Sequence, residues 1–191
     1  MEQAILTKKI TYQEYLQLER GTDIRHEFFN GEVFAMAGSS RLHNSIGINI
    51  ANLLRDNFSP KGCETYISDV KLELQADNFY VYPDVLLTCD KEDNDTYLVK
   101  KPSLIVEVLS KSTETYDRST KLAHYRKIKS LRYYLLVSQT QPMVEVYSRQ
   151  SDTSLFTYEA YESLEDTVQL PAIDFAVLMT DIYKYIIFTE E

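Results

Sequence analysis

The densest apolar patterning lies between Tyr80 and Lys121. Tyr80-Val-Tyr-Pro-Asp84-Val-Leu-Leu-Thr88 reads as one buried strand and Ser103 to Leu109 as another. In the second, Leu104, Val106 and Val108 face one way and Ile105, Glu107 and Leu109 the other, because strand side chains alternate. Apolar residues on both faces imply cover on both sides. Each run nevertheless holds one carboxylate, Asp84 or Glu107. An ionised carboxylate is costly there unless it is paired or binds a metal. Pro83 donates no ladder hydrogen bond, so it marks an edge, a bulge or a bend, and such a distortion re-aims the neighbouring Asp84.

The remaining pattern predicts alternating helices and strands. Ile10 to Glu19 is a short helix with Thr11 as N-cap and Gly21 beyond its end. Asn30-Gly31 between Arg25–Phe29 and Glu32–Met36 is a hairpin signal, since a type I′ turn needs positive φ at both central residues. A two-residue loop sets Phe29 opposite Glu32 and Glu27 opposite Phe34. Glu27 and Glu32 then share a face with two phenylalanines, either as ordinary exposed strand residues or with one of them reaching a site. Ser39 and Ser40 can cap a helix over Arg41–Phe58 whose apolar stripe is Leu42, Ile46, Ile50, Leu53 and Leu54. His43 lies in its first turn, where a lone histidine is more often structural. Thr65 to Leu74 reads as one strand, Ala76-Asp77-Asn78 as a turn and Cys89 to Lys101 as a loop. A helix then runs from the Ser110–Thr115 region to about Ile128, with Asp117, Lys121 and Tyr125 at i, i+4 and i+8 on one face. Strands follow at Leu131–Val137, Met143–Arg149, Leu155–Tyr158 and Thr167–Leu170. A closing helix over Thr180–Ile187 buries Ile182, Tyr183, Ile186 and Ile187.

Composition narrows the classes. The 191 residues, 44% of them hydrophobic, suit one domain, residues 1–191, with a sizeable core. No window is apolar enough to span a membrane, and Met1 to Ile10 has no secretory h-region. Cys63 and Cys89 have no metal-ligand spacing, so reduced thiols in a cytoplasmic protein are the expectation. The fifteen tyrosines are scattered and read as packing. The net charge of -9 argues against a general nucleic-acid coat. Lys100 to Arg132 is the exception, with nine basic and three acidic residues. It is either a solvated helix face or a local attraction for a polyanion.

Taken together, Arg25-His-Glu-Phe-Phe-Asn-Gly-Glu32, His43, Tyr82-Pro-Asp84, Leu104-Ile-Val-Glu-Val-Leu-Ser110 with Ser112-Thr113, Tyr116-Asp-Arg-Ser-Thr-Lys121 with Tyr125-Arg126, Leu131–Val137 and Asp181-Ile-Tyr183 resemble the Uma2 (DUF820) proteins. These are a group within the PD-(D/E)XK nuclease superfamily with many cyanobacterial members. The resemblance covers about Thr11 to Tyr183. It implies an α/β (α+β) restriction-endonuclease-like fold, a mixed β-sheet flanked by helices, with an N-terminal β-hairpin and extra C-terminal antiparallel strands. It also implies a Mg²⁺- or Mn²⁺-dependent endonuclease acting on DNA. Asp84, Glu107 and the Val108 carbonyl would be the metal ligands, and Asp84, Glu107 and Lys121 the catalytic set. The superfamily's strand lysine, two residues after the second acid, is Leu109 here, and Lys121 on the following helix is its candidate substitute. His43, Glu27, Glu32, Asp117 and Tyr125 are secondary candidates. A homodimer would suit cleavage of both strands. The alternative is a non-catalytic nucleic-acid-binding or regulatory module that retains the fold.

Overall fold

The computed structural model describes residues 8–36, 38–76, 78–151 and 153–188. Helix α1, Tyr12–Arg20, opens with a capping box: Thr11 accepts the Glu14 N–H while Glu14 accepts that of Thr11. Strands β1, His26–Phe29, and β2, Glu32–Ala35, form the expected hairpin in the expected register. Asn30 and Gly31 take φ of 50° and 84°. A Cβ on Gly31 would press within 3.2 Å of the Ile10 carbonyl, so only glycine lets this turn dock on the preceding segment. Helix α2, Arg41–Phe58, is capped by Ser40 and buries Ile46, Ile50, Leu54 and Phe58. Leu42, assigned above to its apolar stripe, is exposed instead.

Two segments read as single strands are each broken in two. Thr65–Leu74 divides into β3, Glu64–Ile67, and β4, Lys71–Gln75, at Ser68, whose φ is 45°. Tyr80–Thr88 divides into β5, Phe79–Val81, and β6, Val85–Thr88, around Pro83. Both breaks let the chain leave one sheet and enter the other. The turn before β5 includes Asp77, which lies outside the described residues. Short β7, Leu98–Val99, lies within the expected loop. Strand β8 is Pro102–Leu109. Helical structure then runs through α3, Glu114–Tyr116, a π-helical turn, Asp117–Lys121, and α4, Leu122–Tyr125, and so stops short of Ile128.

Strands β9, Tyr133–Ser138, β10, Val144–Arg149, and β11, Phe156–Tyr161, complete a six-stranded sheet in the order β11-β10-β9-β8-β6-β3. Within it β8 and β9 are parallel and the other pairs antiparallel. The helical segment supplies the crossover that a parallel pair requires. The second sheet has the order β2-β1-β5-β4-β7. A separate pair joins β12, Thr167–Leu170, to β13, Phe175–Leu178, which the sequence pattern had not suggested. The closing helix α5 is only Met179–Ile182; Tyr183 is buried beyond it, but Ile187 is 77% exposed rather than buried.

The two faces of β8 lie in different cores, as its alternation implies. Leu104, Val106 and Val108 pack with α2, β10 and the β12–β13 pair. Ile105 and Leu109 pack with Leu72, Phe79, Tyr125 and Leu136. A third cluster, Tyr15, Phe28, Val33 and Tyr80, seats α1 on the hairpin. The cysteine expectation is corrected. Glu64 pairs with Thr88 across β3 and β6, so Cys63 and Cys89 sit just beyond that pair, and they are joined by a disulfide. Among the described residues no helix is long and apolar enough to cross a membrane.

One carboxylate ties α1 to the hairpin sheet and to the link between β5 and β6. Glu19 receives the Tyr82 hydroxyl and the His26 N–H, lies 2.9 Å from His26 Nδ1, and pairs with Lys71 at 3.6 Å. Burial holds the Lys71 ammonium below its usual range, partly offset by Glu19. Removing Glu19 strands a buried cation and a buried hydroxyl. Glu19→Ala should therefore cost about 3–5 kcal/mol, read as a lowered urea midpoint, and Glu19→Gln distinctly less. A midpoint unchanged in Glu19→Ala would show that this hub is dispensable.

Candidate active site

Pro83 creates the site locally. Because β5 ends at Val81 and β6 begins at Val85, the β6–β8 ladder stops at Val85 opposite Val106. The Val108 N–H beyond that point is met by a side chain: Asp84 Oδ2 accepts it at 2.8 Å. In return Glu107 Oε2 lies 3.4 Å from the Asp84 N–H. Glu107 thus approaches the backbone of Asp84 and Asp84 holds the backbone of Val108, next to Glu107, which places both carboxylates at one end of the sheet. His43 Nε2 lies 3.2 Å from Asp84 Oδ2, delivered by the first turn of α2.

The π-helical turn brings the helix to these acids. Leu122 N–H reaches the Asp117 carbonyl, the i→i−5 bond of a wide turn. At 3.6 residues per turn, each four-residue step in an α-helix overshoots by about 40°, so two such steps would swing Tyr125 about 80° away from Asp117. The wide turn takes back that drift. Lys121 Nζ lies 3.0 Å from Glu107 Oε1, 3.3 Å from Asp117 Oδ1 and 3.4 Å from Glu27 Oε1. The Tyr125 hydroxyl donates to the same Glu107 oxygen at 2.7 Å. Asp117 Oδ1, although beside Lys121, makes no hydrogen bond of good geometry.

Electrostatics follow from burial. Desolvation pushes the Glu107 carboxyl up to about 8; Lys121 opposes this, while Asp117 and Asp84 add to it. Glu27 is raised for the same first reason, again opposed by Lys121. Burial works against the Lys121 ammonium, but Glu107 and Glu27 outweigh it and hold its pKa well above the usual range. At His43 desolvation is likewise overcome, by the hydrogen bond and charge of Asp84 and by a backbone hydrogen bond with Val108, so its pKa is raised. Tyr125 is raised by burial and by Glu107 beside it.

Glu27, His43, Asp84, Glu107, Asp117 and Lys121 line a cleft of about 740 Å³ between the hairpin, the start of α2 and the π-helical turn, with Tyr125 buried behind it. The structure brings together Asp84, Glu107, Lys121, Asp117, Tyr125, Glu27 and His43. Glu32 lines the same cleft but sits at its rim, 3.9 Å from Lys9. Sequence reasoning missed Gln139. Its amide donates to the Leu109 carbonyl at 2.7 Å and accepts the Ser40 hydroxyl, tying the end of β8 to the cap of α2. Nothing in a polar turn at Gln139–Pro142 could have signalled that.

The basic segment is dispersed. Ser130 bonds the Pro102 carbonyl and the Arg132 N–H bonds that of Ser103, so Lys127, Lys129 and Arg132 belong to the start of β8. Glu107 lies five residues along, roughly 16 Å at about 3.3 Å per residue. Lys101 pairs with Asp90 and Arg118 with Glu145. The cleft lining holds seven acidic side chains against Arg25 and Lys121. A polyanion entering it meets repulsion unless a further cation is present.

Comparison with known proteins agrees with this architecture. A family model, Uma2, described as "Putative restriction endonuclease", matches residues 12–178. The uncharacterized protein slr1290 of Synechocystis sp. is 35% identical over 183 residues, covering 94% of each chain. The uncharacterized protein sll1609 of the same organism is 37% identical over 149 residues, covering 76% of this chain and 84% of its own. A crystal structure from Anabaena variabilis, titled as a putative nuclease belonging to DUF820, superposes with a TM-score of 0.75 at 15% identity, covering 93% of this chain and 99% of its own. At that identity the likeness speaks for the fold, a restriction-endonuclease-like mixture of sheets and helices. The span of the family match and the identity of the two Synechocystis relatives establish that this chain belongs to the Uma2 family.

Proposed function

We propose that the protein is a Mg²⁺- or Mn²⁺-dependent nuclease that hydrolyses phosphodiester bonds in DNA, with Asp84, Glu107 and Lys121 as its catalytic set. The observation that carries this reading is the position of Lys121. A helix delivers its ammonium to within 3.0 Å of Glu107, which itself touches the Asp84 backbone, on the floor of one cleft. That supplies two carboxylates and a cation where Leu109 provides none.

The donor set fits a hard divalent cation. Asp84, Glu107 and the Val108 carbonyl offer only oxygen, as Mg²⁺ requires, and Mg²⁺ takes one or two carboxylates and keeps several waters. Among the described residues no three His, Cys, Asp or Glu side chains group as a metal cage, so the proposed site rests on two carboxylates, a backbone carbonyl and water. Bound there, Mg²⁺ would lower the pKa of a water and offset charge on the phosphate. Lys121 would stabilise the charge developing on the phosphate oxygens. Tyr125 fixes the orientation of Glu107 through its hydroxyl, and His43 does the same for Asp84.

One observation favours binding without turnover: Glu107 Oε1 is already engaged by both Lys121 and Tyr125. Lys121 then serves as the internal counter-ion of Glu107. A cleavage assay on single- and double-stranded oligonucleotides with Mn²⁺ separates the two readings.

Three outcomes test the proposal. Asp84→Asn and Glu107→Gln should each abolish Mn²⁺ binding in calorimetry with the circular dichroism spectrum retained; unchanged affinity in both would remove the site. Lys121→Ala should lower cleavage by about 10²-fold or more. It should also destabilise the metal-free protein by about 3–5 kcal/mol, because buried carboxylates lose their partner. Cleavage at the wild-type rate would refute the role given to Lys121. The third outcome concerns pH. Glu107 is raised, so the folded chain holds a proton between the ordinary value of 4.5 and about 8 that the unfolded chain has released. Its contribution to stability is therefore present at low pH and falls across that window. A cation needs the ionised form, so Mn²⁺ affinity should climb with pH up to about 8 and then level, with a proton released on binding. Calorimetry in buffers of different ionisation enthalpy measures that proton; its absence at neutral pH would show that Glu107 is already ionised or takes no part.

A further inference from the structure

One wall of the cleft has no use in the chemistry above. On the hairpin, Phe34 lies directly opposite Glu27, the carboxylate that reaches Lys121. Facing residues on paired strands have Cβ atoms about 4.5–5.5 Å apart, so the Phe34 side chain begins beside the proposed reaction centre. Its neighbour on the same face, Phe29, is anchored: its ring packs against Phe79 at 4.5 Å and His124 at 5.4 Å. Phe34 is half-buried and, among the described residues, is part of none of the three cores. Ile24, 56% exposed, and half-buried Met36 extend the same apolar wall along the cleft. The same hairpin also carries Glu27 and Glu32, while Glu107, Asp117 and Lys121 line the rest of the cleft.

The floor is deep. Glu107 and Lys121 are only 3% and 6% exposed. The cleft, about 740 Å³, is the size of a small-ligand pocket, for which about 300–1,000 Å³ is usual. It suits one or two nucleotides at roughly that scale rather than a stretch of duplex. Phosphates of a continuous duplex ride on the outside of a stiff stacked cylinder. A nucleotide that has left the stack can set its base against one wall of the cleft while its phosphate turns to the floor. Enzymes that act on such nucleotides receive the extruded base between aromatic or apolar side chains. An aromatic ring one strand away from the Glu27–Lys121 pair suits that division: base against Phe34, phosphate toward Lys121.

We propose that the cleft takes an unstacked nucleotide, its base stacked on Phe34, so that the preferred substrate is single-stranded or frayed DNA rather than intact duplex. This rests on the nuclease reading for what happens at the phosphate, but base binding is measurable without cleavage. The test uses the full chain with Ca²⁺, an oxygen-seeking cation like Mg²⁺, and oligonucleotides carrying 2-aminopurine, whose fluorescence falls on stacking. Single strands should bind more tightly than the matching duplex and be quenched. Phe34→Ala should remove the quench and weaken single-strand binding about tenfold, the scale of one lost base–aromatic stack, while Phe34→Trp should restore both. Cleavage with Mn²⁺ should follow the same order of substrates. If duplex and single strand bind alike and Phe34→Ala changes neither, the inference is overturned, while Asp84-dependent cleavage would leave the nuclease reading standing. Phe34-dependent quenching with no cleavage of any substrate would support the base pocket and sink the nuclease. No binding of either nucleic acid overturns the inference.

Discussion

Glu107 is a carboxylate buried in a strand covered on both faces, and much of the molecule is arranged to make that tolerable. Two groups from one helix, Lys121 and Tyr125, converge on a single oxygen of it, and the Asp84 backbone approaches the other. None of these would suffice alone, since a buried ion needs both a counter-charge and hydrogen bonds. The arrangement is nevertheless over-acidic. Glu107, Glu27 and Asp117 share the one Lys121 ammonium. The raised pKa of Glu107 relieves part of that imbalance, since a proton held there removes one of the charges.

Two sheets make the geometry possible. Had Tyr80–Thr88 been one strand, Asp84 would have been a ladder residue whose side chain stood perpendicular to the sheet. Pro83 ends the pairing, so the Asp84 carboxylate takes the place of a strand backbone and accepts the Val108 N–H. The same break carries the chain into the sheet of the hairpin, which brings Glu27 and Phe34 across the cleft from the helix. Glu19 then holds α1 to the chain near both breaks, through Tyr82 and Lys71.

What the sequence disclosed depended on how local the determinant was. Asn30-Gly31 dictates its own turn, and so fixes which residues face Glu27 and Glu32. Pro83 declares a defect wherever it sits in a strand. The alternation in Leu104–Leu109 reports two covered faces regardless of what covers them. By contrast, the Glu19 hub, the Gln139 clasp and the Cys63–Cys89 bridge join residues whose proximity depends on sheet order and register. The basic residues of Lys100–Arg132 form one cluster in sequence but are spread along the length of β8 in space. The π-helical turn lies between these cases: the spacing of Asp117, Lys121 and Tyr125 marks a shared face, but an ordinary α-helix would only approximately provide it.

The cation's transfer from strand to helix has a structural rationale in Leu109. That residue is 6% exposed and packs in the core with Leu72, Tyr125 and Leu136. Its carbonyl is claimed by Gln139. A lysine at this position would draw its stem out of an apolar cluster that also seats Tyr125, one of the groups holding Glu107. Placing the ammonium on the helix avoids that conflict, because the helix already crosses this face of the sheet to connect the parallel strands β8 and β9. The wide turn at Asp117–Lys121 then aims it. One crossover thus supplies the connection that a parallel pair requires, the cover for the second core and the charge that Glu107 needs. Site and scaffold share residues here, so Lys121 and Tyr125 cannot be altered for function without consequence for the fold.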